Sequence, residues 1–246
     1  MRSHGIVLHA LRYGDSSLIV DIFTEEAGTV AFLVRQPRGR RQRLAAGVCA
    51  PLSLVEVVWE HRPNANLQKP RELTLWHPWR DMPFQPMKAA VALFLGEFLH
   101  RSLHREQENK PLFRFATDAL TWFDQSQNGY ANFHIVFLLR LTRFLGFQPN
   151  AEEGSEGDFF DLQAATFVTA PPLHPYYLQS SEAAVVRKFL RMDFRSMRPV
   201  RLNGALRRRV LEVITLFYRL HVPEFPPLRS LDVLAEVFGG SGSSLS

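Results

Sequence analysis

The stretch Leu18-Ile19-Val20-Asp21-Ile22-Phe23-Thr24-Glu25-Glu26-Ala27-Gly28-Thr29-Val30-Ala31-Phe32-Leu33-Val34 decides the fold. Two runs rich in β-branched and aromatic residues flank a short polar connection that ends in glycine. That is hairpin chemistry: the runs favour extended backbone, and glycine supplies the positive φ of a tight reversal. The pattern continues outward. Ile6-Val7-Leu8 reads as a strand before it, with Arg12-Tyr13-Gly14-Asp15 as turn. Residues 52–59 read as a partly alternating strand after it, and 67–75 as a shorter one. Five short strands with turns at this spacing predict a small closed barrel over residues 1–80.

The period then changes. Residues 76–86, with Pro78, Pro83 and Pro86, read as a linker. From Met87 apolar residues recur at three- and four-residue spacing, which predicts helices over 87–103, 111–123 and 131–145, the last stopped by Gly146. Residues 148–178 are irregular, with 158–161 and 166–169 able to pair as a hairpin. Further helices are expected over 183–191, 203–220 and 230–238, before a Gly/Ser tail at 239–246 that is flexible by composition. The chain therefore reads as α+β: a barrel, then a mostly helical domain over 81–238 with a hairpin insertion.

Composition narrows the function. The 246 residues carry 29 basic and 24 acidic side chains, a net charge of +5. Only Lys69, Lys88, Lys110 and Lys188 are lysine, so 25 of the 29 are arginine. The lone Cys49 excludes an internal disulfide and any multi-cysteine zinc site. With 46% hydrophobic and 22% charged residues the chain has a globular composition. There is no apolar leader after Met1 and no uninterrupted apolar window of about 20 residues, so a cytoplasmic location is expected.

The average charge hides a pattern. Residues 27–55 contain no acid but hold Arg35, Arg38, Arg40, Arg41 and Arg43 beside Pro37 and Gly39, where no helix face calls for them. Residues 187–209 carry a second basic run that includes Arg195, Arg198, Arg201, Arg207 and Arg208, opposed by Asp193 alone. An acidic loop (Glu152, Glu153, Glu156, Asp158, Asp161) separates them. Two basic clusters with little local acid are the footprint of polyanion binding, and the planar guanidinium fork suits phosphate.

Catalytic constellations are missing from the sequence. It has no phosphate-cradling glycine loop and no nucleophile elbow. Cys49 sits among small apolar residues, the setting of an inert buried thiol. The nine histidines are scattered. His100 and His104 lie four apart, and His4 and His9 five apart, without the flanking pattern of a metal helix. The acidic loop does not match a calcium loop. Neither enzymatic activity, nor a metal, nor a cofactor is expected.

Ordered segments carry a family resemblance. Gly5-Ile6-Val7-Leu8, Tyr13-Gly14-Asp15-Ser16, Leu18-Ile19-Val20, Phe23-Thr24 and Gly28, then Leu145-Gly146-Phe147-Gln148-Pro149, then Leu228-Arg229-Ser230-Leu231-Asp232-Val233-Leu234, resemble the RecO family of bacterial recombination mediators across nearly the whole chain. The family often has Glu where Asp15 stands. The resemblance implies an N-terminal OB-fold and a helical C-terminal domain. It implies binding of single- and double-stranded DNA, strand annealing, contact with the SSB C-terminal tail, and, with RecR and in many bacteria RecF, loading of RecA. Many members carry a four-cysteine zinc module where this chain, over residues 149–175, has no cysteine. A zinc-free hairpin is therefore expected there.

On this resemblance the basic residues become DNA contacts: the 35–43 cluster, supported by Arg12, Arg62, Lys69 and Arg71, and the second run from Arg195 to Arg208. Tyr13, Phe32 and Trp59 are candidates to stack bases, with barrel core as the competing role, favoured for Phe32. An acidic, apolar tail peptide needs an apolar surface rimmed by cations, for which Lys88, Arg140 and Arg143, beside Leu139 and Phe144, are the candidates. The competing readings are an RNA- or single-strand-binding barrel protein with no mediator role, an enzyme with an unrecognised site, and a scaffold for acidic proteins.

Overall fold

In the computed structural model β1 (Arg2–Tyr13), β2 (Ser17–Thr24), β3 (Gly28–Arg35), β4 (Leu54–Trp59) and β5 (Pro70–His77) form one antiparallel sheet of order β3-β2-β1-β4-β5. The structure describes residues 1–35, 47–150, 155 and 157–234. Alternation sets the register: Leu18, Val20 and Ile22 point inward with Val7, Phe32, Val55, Val57 and Trp59 to form the core. The β2–β3 hairpin closes at Thr24 and Gly28, with Gly28 at φ 66°. The Thr24 hydroxyl donates to the Gly28 carbonyl at 2.7 Å and accepts from Ala27 N–H at 3.1 Å, so the reversal satisfies its own polar groups.

The two edge strands of this sheet meet. Phe32 and Gln68 form a parallel bridge, with Gln68 N–H donating to the Ala31 carbonyl at 2.9 Å and Leu33 N–H to the Gln68 carbonyl at 2.8 Å. Bringing β3 against the entry to β5 curls the sheet into the partly open five-stranded barrel of the OB-fold. The closing residue also orders the loop before β5. The buried Gln68 side chain donates to the carbonyls of Arg62 and Ala65, both at 2.8 Å, and accepts from Arg62 N–H at 3.0 Å.

The chain falls into two compact units. The first takes in Met1–Gln125 and the described residues 228–234; the second is Ser126–Pro227. In the first, α1 (Pro86–Leu103) and α2 (Lys110–Gln125) accompany the barrel. Proline at the start of α1 costs no hydrogen bond there. The Asp124 carboxylate, almost fully buried, accepts from the backbone N–H groups of Arg80, Asp81 and Met82 at 2.9, 2.9 and 2.7 Å. It thereby fixes the proline-rich connection to α2. Gly28 meets the segment after α1: Thr29 N–H donates to the Glu106 carbonyl at 2.9 Å, and the Thr29 hydroxyl to the Leu103 carbonyl at 2.5 Å.

The second unit contains α3 (Phe133–Phe144), β6 (Phe159–Asp161), β7 (Thr166–Val168), β8 (Tyr177–Leu178), α4 (Ser180–Leu190) and α5 (Gly204–His221). The expected hairpin is present, and β8 extends it to a sheet of order β7-β6-β8. A two-residue strand preceded by three prolines gives no periodic signal in the sequence. With no cysteine available, this sheet is held by hydrocarbon: Phe160, Leu162, Phe167 and Leu178 pack with Val186, Val213 and Phe217. The buried Tyr218 hydroxyl donates to the Leu138 carbonyl at 2.8 Å, tying α5 to α3. Among the described residues no helix is long and apolar enough to cross a membrane.

Candidate nucleic-acid interface

The closure of the barrel builds a cationic groove. Where β3 ends and β5 begins, Arg35, Lys69 and Arg71 line an open groove of about 420 Å³ whose floor is Leu33, Val34, Val48, Cys49, Pro70 and Leu73. The placement follows from the strands. Gln68 locks the β5 entry to β3, so its neighbour Lys69 and the exposed Arg71 emerge beside the exposed end of β3 at Arg35. An apolar floor with cationic rims suits a chain of planar bases linked by phosphates. Arg71 also pairs with Glu60 at 2.9 Å, both groups being largely in solvent, so part of its charge is already answered. Cys49, in the floor, has its thiol pKa pushed up to about 11 by burial, which fits the inert role read from its surroundings.

Register joins Tyr13 to this edge. Tyr13 pairs with Ser17, and Ser17 with Arg35, so the ring and the guanidinium leave the same face of the sheet two strands apart. Tyr13 is 57% exposed and keeps its candidacy for base stacking. Phe32 and Trp59 do not: both are buried in the barrel core, edge to face at 5.4 Å. Trp76, which the sequence reading left in the linker, lies on β5 as an exposed ring stacked on His4 at 4.0 Å. Arg12 and Arg62 are exposed on the same unit. Arg38, Arg40, Arg41 and Arg43 lie outside the described residues.

The second basic run is split by burial. Arg195, Arg198 and Arg201 are exposed in the segment between α4 and α5, and Arg208 is exposed on α5, where it meets Glu212 at 3.1 Å. The stem of Arg198 lies across Gly129, whose φ of 70° and lack of Cβ make room for it. Asp193, the one acid of the run, accepts from the N–H groups of Arg195 and Ser196 at 2.9 and 2.6 Å and so shapes the turn that presents these arginines. Arg207 departs from expectation. It is only 8% exposed, donates to the Leu202 carbonyl at 3.2 Å, and burial lowers its pKa. Its position on the inward face of α5 makes it a structural cation rather than a DNA contact.

The three residues proposed for an acidic tail separate in the same way. Lys88 is fully buried: its ammonium donates to the Asp124 carbonyl at 2.7 Å and to the Asp81 carboxylate at 3.3 Å. A cation so enclosed cannot receive a peptide from solution, and Lys88 leaves the set. Arg140 and Arg143 are exposed on α3, three residues apart and so on one face, with Arg140 Nε donating to the Met192 carbonyl at 3.0 Å. Their apolar neighbour Leu139 is buried, which leaves the half-buried Phe144 as the exposed hydrocarbon beside them.

Two family models match the chain, and the boundary between them falls near residue 80, inside the first compact unit rather than at its end at Gln125. The family model described as recombination protein O N terminal matches residues 1–79, and that described as recombination protein O C terminal matches residues 84–232. The DNA repair protein RecO of Phocaeicola vulgatus is 44% identical over 234 residues, covering 95% of this chain and 97% of the relative. The protein of the same name from Bacteroides fragilis is 43% identical over 235 residues, with 95% and 97% covered. That of Porphyromonas gingivalis is 31% identical over 242 residues, with 96% and 98% covered. A barrel with a cationic groove, a helical unit with exposed arginines, and matches that span both place the chain in the RecO family of DNA repair proteins.

Proposed function

We propose that this protein is a non-enzymatic mediator of recombinational repair. It binds single- and double-stranded DNA, anneals complementary strands, and with RecR, and RecF where present, helps load RecA onto SSB-coated DNA in the cytoplasm at the nucleoid. The observation that carries this reading is the groove rimmed by Arg35, Lys69 and Arg71 on an OB-fold. A single strand laid there exchanges its counterions for fixed arginine and lysine side chains and places its bases over hydrocarbon. The exposed arginines at 195, 198, 201 and 208 offer a second strand the same neutralisation on the other unit. Annealing requires that two phosphate backbones approach, and neutralising both lowers the repulsion that opposes it.

Contact with the SSB tail belongs to the same reading. Arg140 and Arg143 present two guanidinium groups to the carboxylates of such a peptide. An annealing assay with complementary oligonucleotides, bare and SSB-coated, tests the proposal. Faster pairing in both formats is expected, slowed by Arg35→Ala with Lys69→Ala. A preference for RNA over single-stranded DNA, with no annealing, would refute it. Tail-peptide affinity that is unchanged in both Arg140→Ala and Arg143→Ala would remove that surface.

A further inference from the structure

His9, Asp21 and His100 converge although they come from three elements and lie up to 91 positions apart in the sequence. His9 on β1 and Asp21 on β2 are direct cross-strand partners. The register of β1 shifts between Val7 and His9, a bulge that leaves Val7 facing the core while turning His9 to the side of Asp21. His100, on α1, lies over this pair. Its ring stacks on that of His9 with centroids 4.4 Å apart and planes 12° apart. Its Nε2 is 3.2 Å from Asp21 Oδ2, and His9 Nδ1 is 4.0 Å from the same oxygen. One ligand atom from each residue lies within 4.8 Å of the others, the one such group of three among the described residues.

We propose that His9, Asp21 and His100 form a binding site for a divalent transition metal, zinc being the best match. The donor set is two imidazole nitrogens and one carboxylate oxygen, which suits zinc and its neighbours rather than magnesium or calcium. With metal–ligand distances near 2.0–2.2 Å, ligand atoms of a tetrahedral site lie roughly 3.3 Å apart. The His100–Asp21 separation of 3.2 Å already meets that spacing, and the His9–Asp21 separation of 4.0 Å comes within about 1 Å of it. Because a metal lies in the plane of each imidazole that binds it, the His9 and His100 rings, now stacked 12° apart, must turn out of their stack to aim both nitrogens at the ion.

Three protein ligands leave a fourth position for water, and His9 and His100 both line an open cavity of about 440 Å³ through which an ion enters. Asp21 lies behind the two rings rather than in the lining, and the carboxylate that does line the cavity, Glu97, is engaged elsewhere: it accepts from Arg229 N–H at 3.1 Å and from Ser230 N–H at 2.8 Å. A metal held by β1, β2 and α1 clamps the barrel to its first helix. This site is separate from the cysteine module of other family members, since it uses no thiolate and sits on a different part of the chain.

The test uses the full chain stripped with EDTA and titrated with cobalt(II), read by the visible absorption of nitrogen- and oxygen-ligated cobalt, then displaced with zinc(II). One equivalent of saturable absorption is expected, lost on adding zinc. Dividing the zinc-binding free energy of four-ligand sites equally among their ligands makes each worth about a hundredfold in affinity. His9→Ala and Asp21→Asn are each expected to show about that loss, while His104→Ala, at an exposed residue just past the end of α1, binds as the unaltered chain does. A hundredfold excess of zinc over its Kd should raise the unaltered chain's Tm by roughly 5 °C or more. No cobalt absorption in the unaltered chain, which needs no variant to fold, overturns the proposal. Undiminished affinity in His9→Ala overturns it equally.

Discussion

If the barrel groove tracks a phosphate backbone, removing its unpaired cations must change how binding answers to salt as well as how tight it is. Among the described residues, Arg35 and Lys69 form no ion pair, while Arg71 is held by Glu60 at 2.9 Å. Each phosphate neutralised on a single strand contributes about 0.7 to the slope of log K against log salt. The double variant Arg35→Ala/Lys69→Ala should therefore flatten the slope by about 1.4. Between 50 and 200 mM salt the unaltered protein then loses about seven times more affinity than the variant does. Arg71→Ala should move the slope less, because Glu60 already answers that charge. Glu60→Gln should move it the other way, freeing Arg71 for phosphate. Fluorescence anisotropy of a labelled thymidine oligonucleotide at four or five salt concentrations measures all four proteins. Parallel lines for the double variant and the unaltered protein would refute the groove as the phosphate track, whatever the absolute affinities.

Other consequences are checked by stability. Asp124→Ala strands three backbone donors and removes a buried carboxylate, so it should cost about 3–5 kcal/mol in urea unfolding; a loss under about 1 kcal/mol would show that water replaces the carboxylate. Gly28→Ala places a Cβ against the Glu106 carbonyl at φ 66°, and should destabilise by at least about 1–2 kcal/mol on backbone grounds alone. Thermal melting of the purified variant decides it, and an unchanged Tm would rule out the close approach of Gly28 to the Glu106 carbonyl. His134 is buried beside Arg207, and burial first, then that charge, lowers its pKa to about 3. Protons therefore favour the unfolded chain between the ordinary value of 6.5 and about 3, and stability falls as pH drops through that window, by up to about 1.4 kcal/mol per unit. Unfolding measured at pH 7.5, 6.5 and 5.5 should show a shallower decline in His134→Phe, and identical declines would count against the assignment.

Much of the architecture was legible because it rests on local patterning. The β2–β3 hairpin, the three helices after the linker and the hairpin near residue 160 follow from alternation, from apolar spacing and from glycine. The site was legible in charge type and only partly in position. Lys88 and Arg207 look like any surface cation in a helical pattern. Their burial depends on partners that no period reveals: Asp124 lies 36 residues from Lys88, and the Leu202 carbonyl receives Arg207 only because the turn before α5 folds back. Trp59, a base-stacking candidate in the sequence, turns inward with Phe32, for which barrel core is already the favoured role, as the sheet curls. The convergence of His9 and Asp21 with His100 rests on a one-residue bulge and on a helix packed across the sheet, and neither leaves a mark in the residues themselves.

The small sheet of β6, β7 and β8 sets which insults this part of the molecule withstands. Peroxide attacks thiolates, and chelators strip metal from them, but a core of Phe160, Phe167, Leu178 and Phe217 offers neither reagent a target. Its weakness lies elsewhere. Hydrocarbon packing loses strength on cooling, so the margin of this segment narrows at low temperature. A repair protein folded this way keeps its shape under the oxidants that break DNA, and gives up some of its margin in the cold.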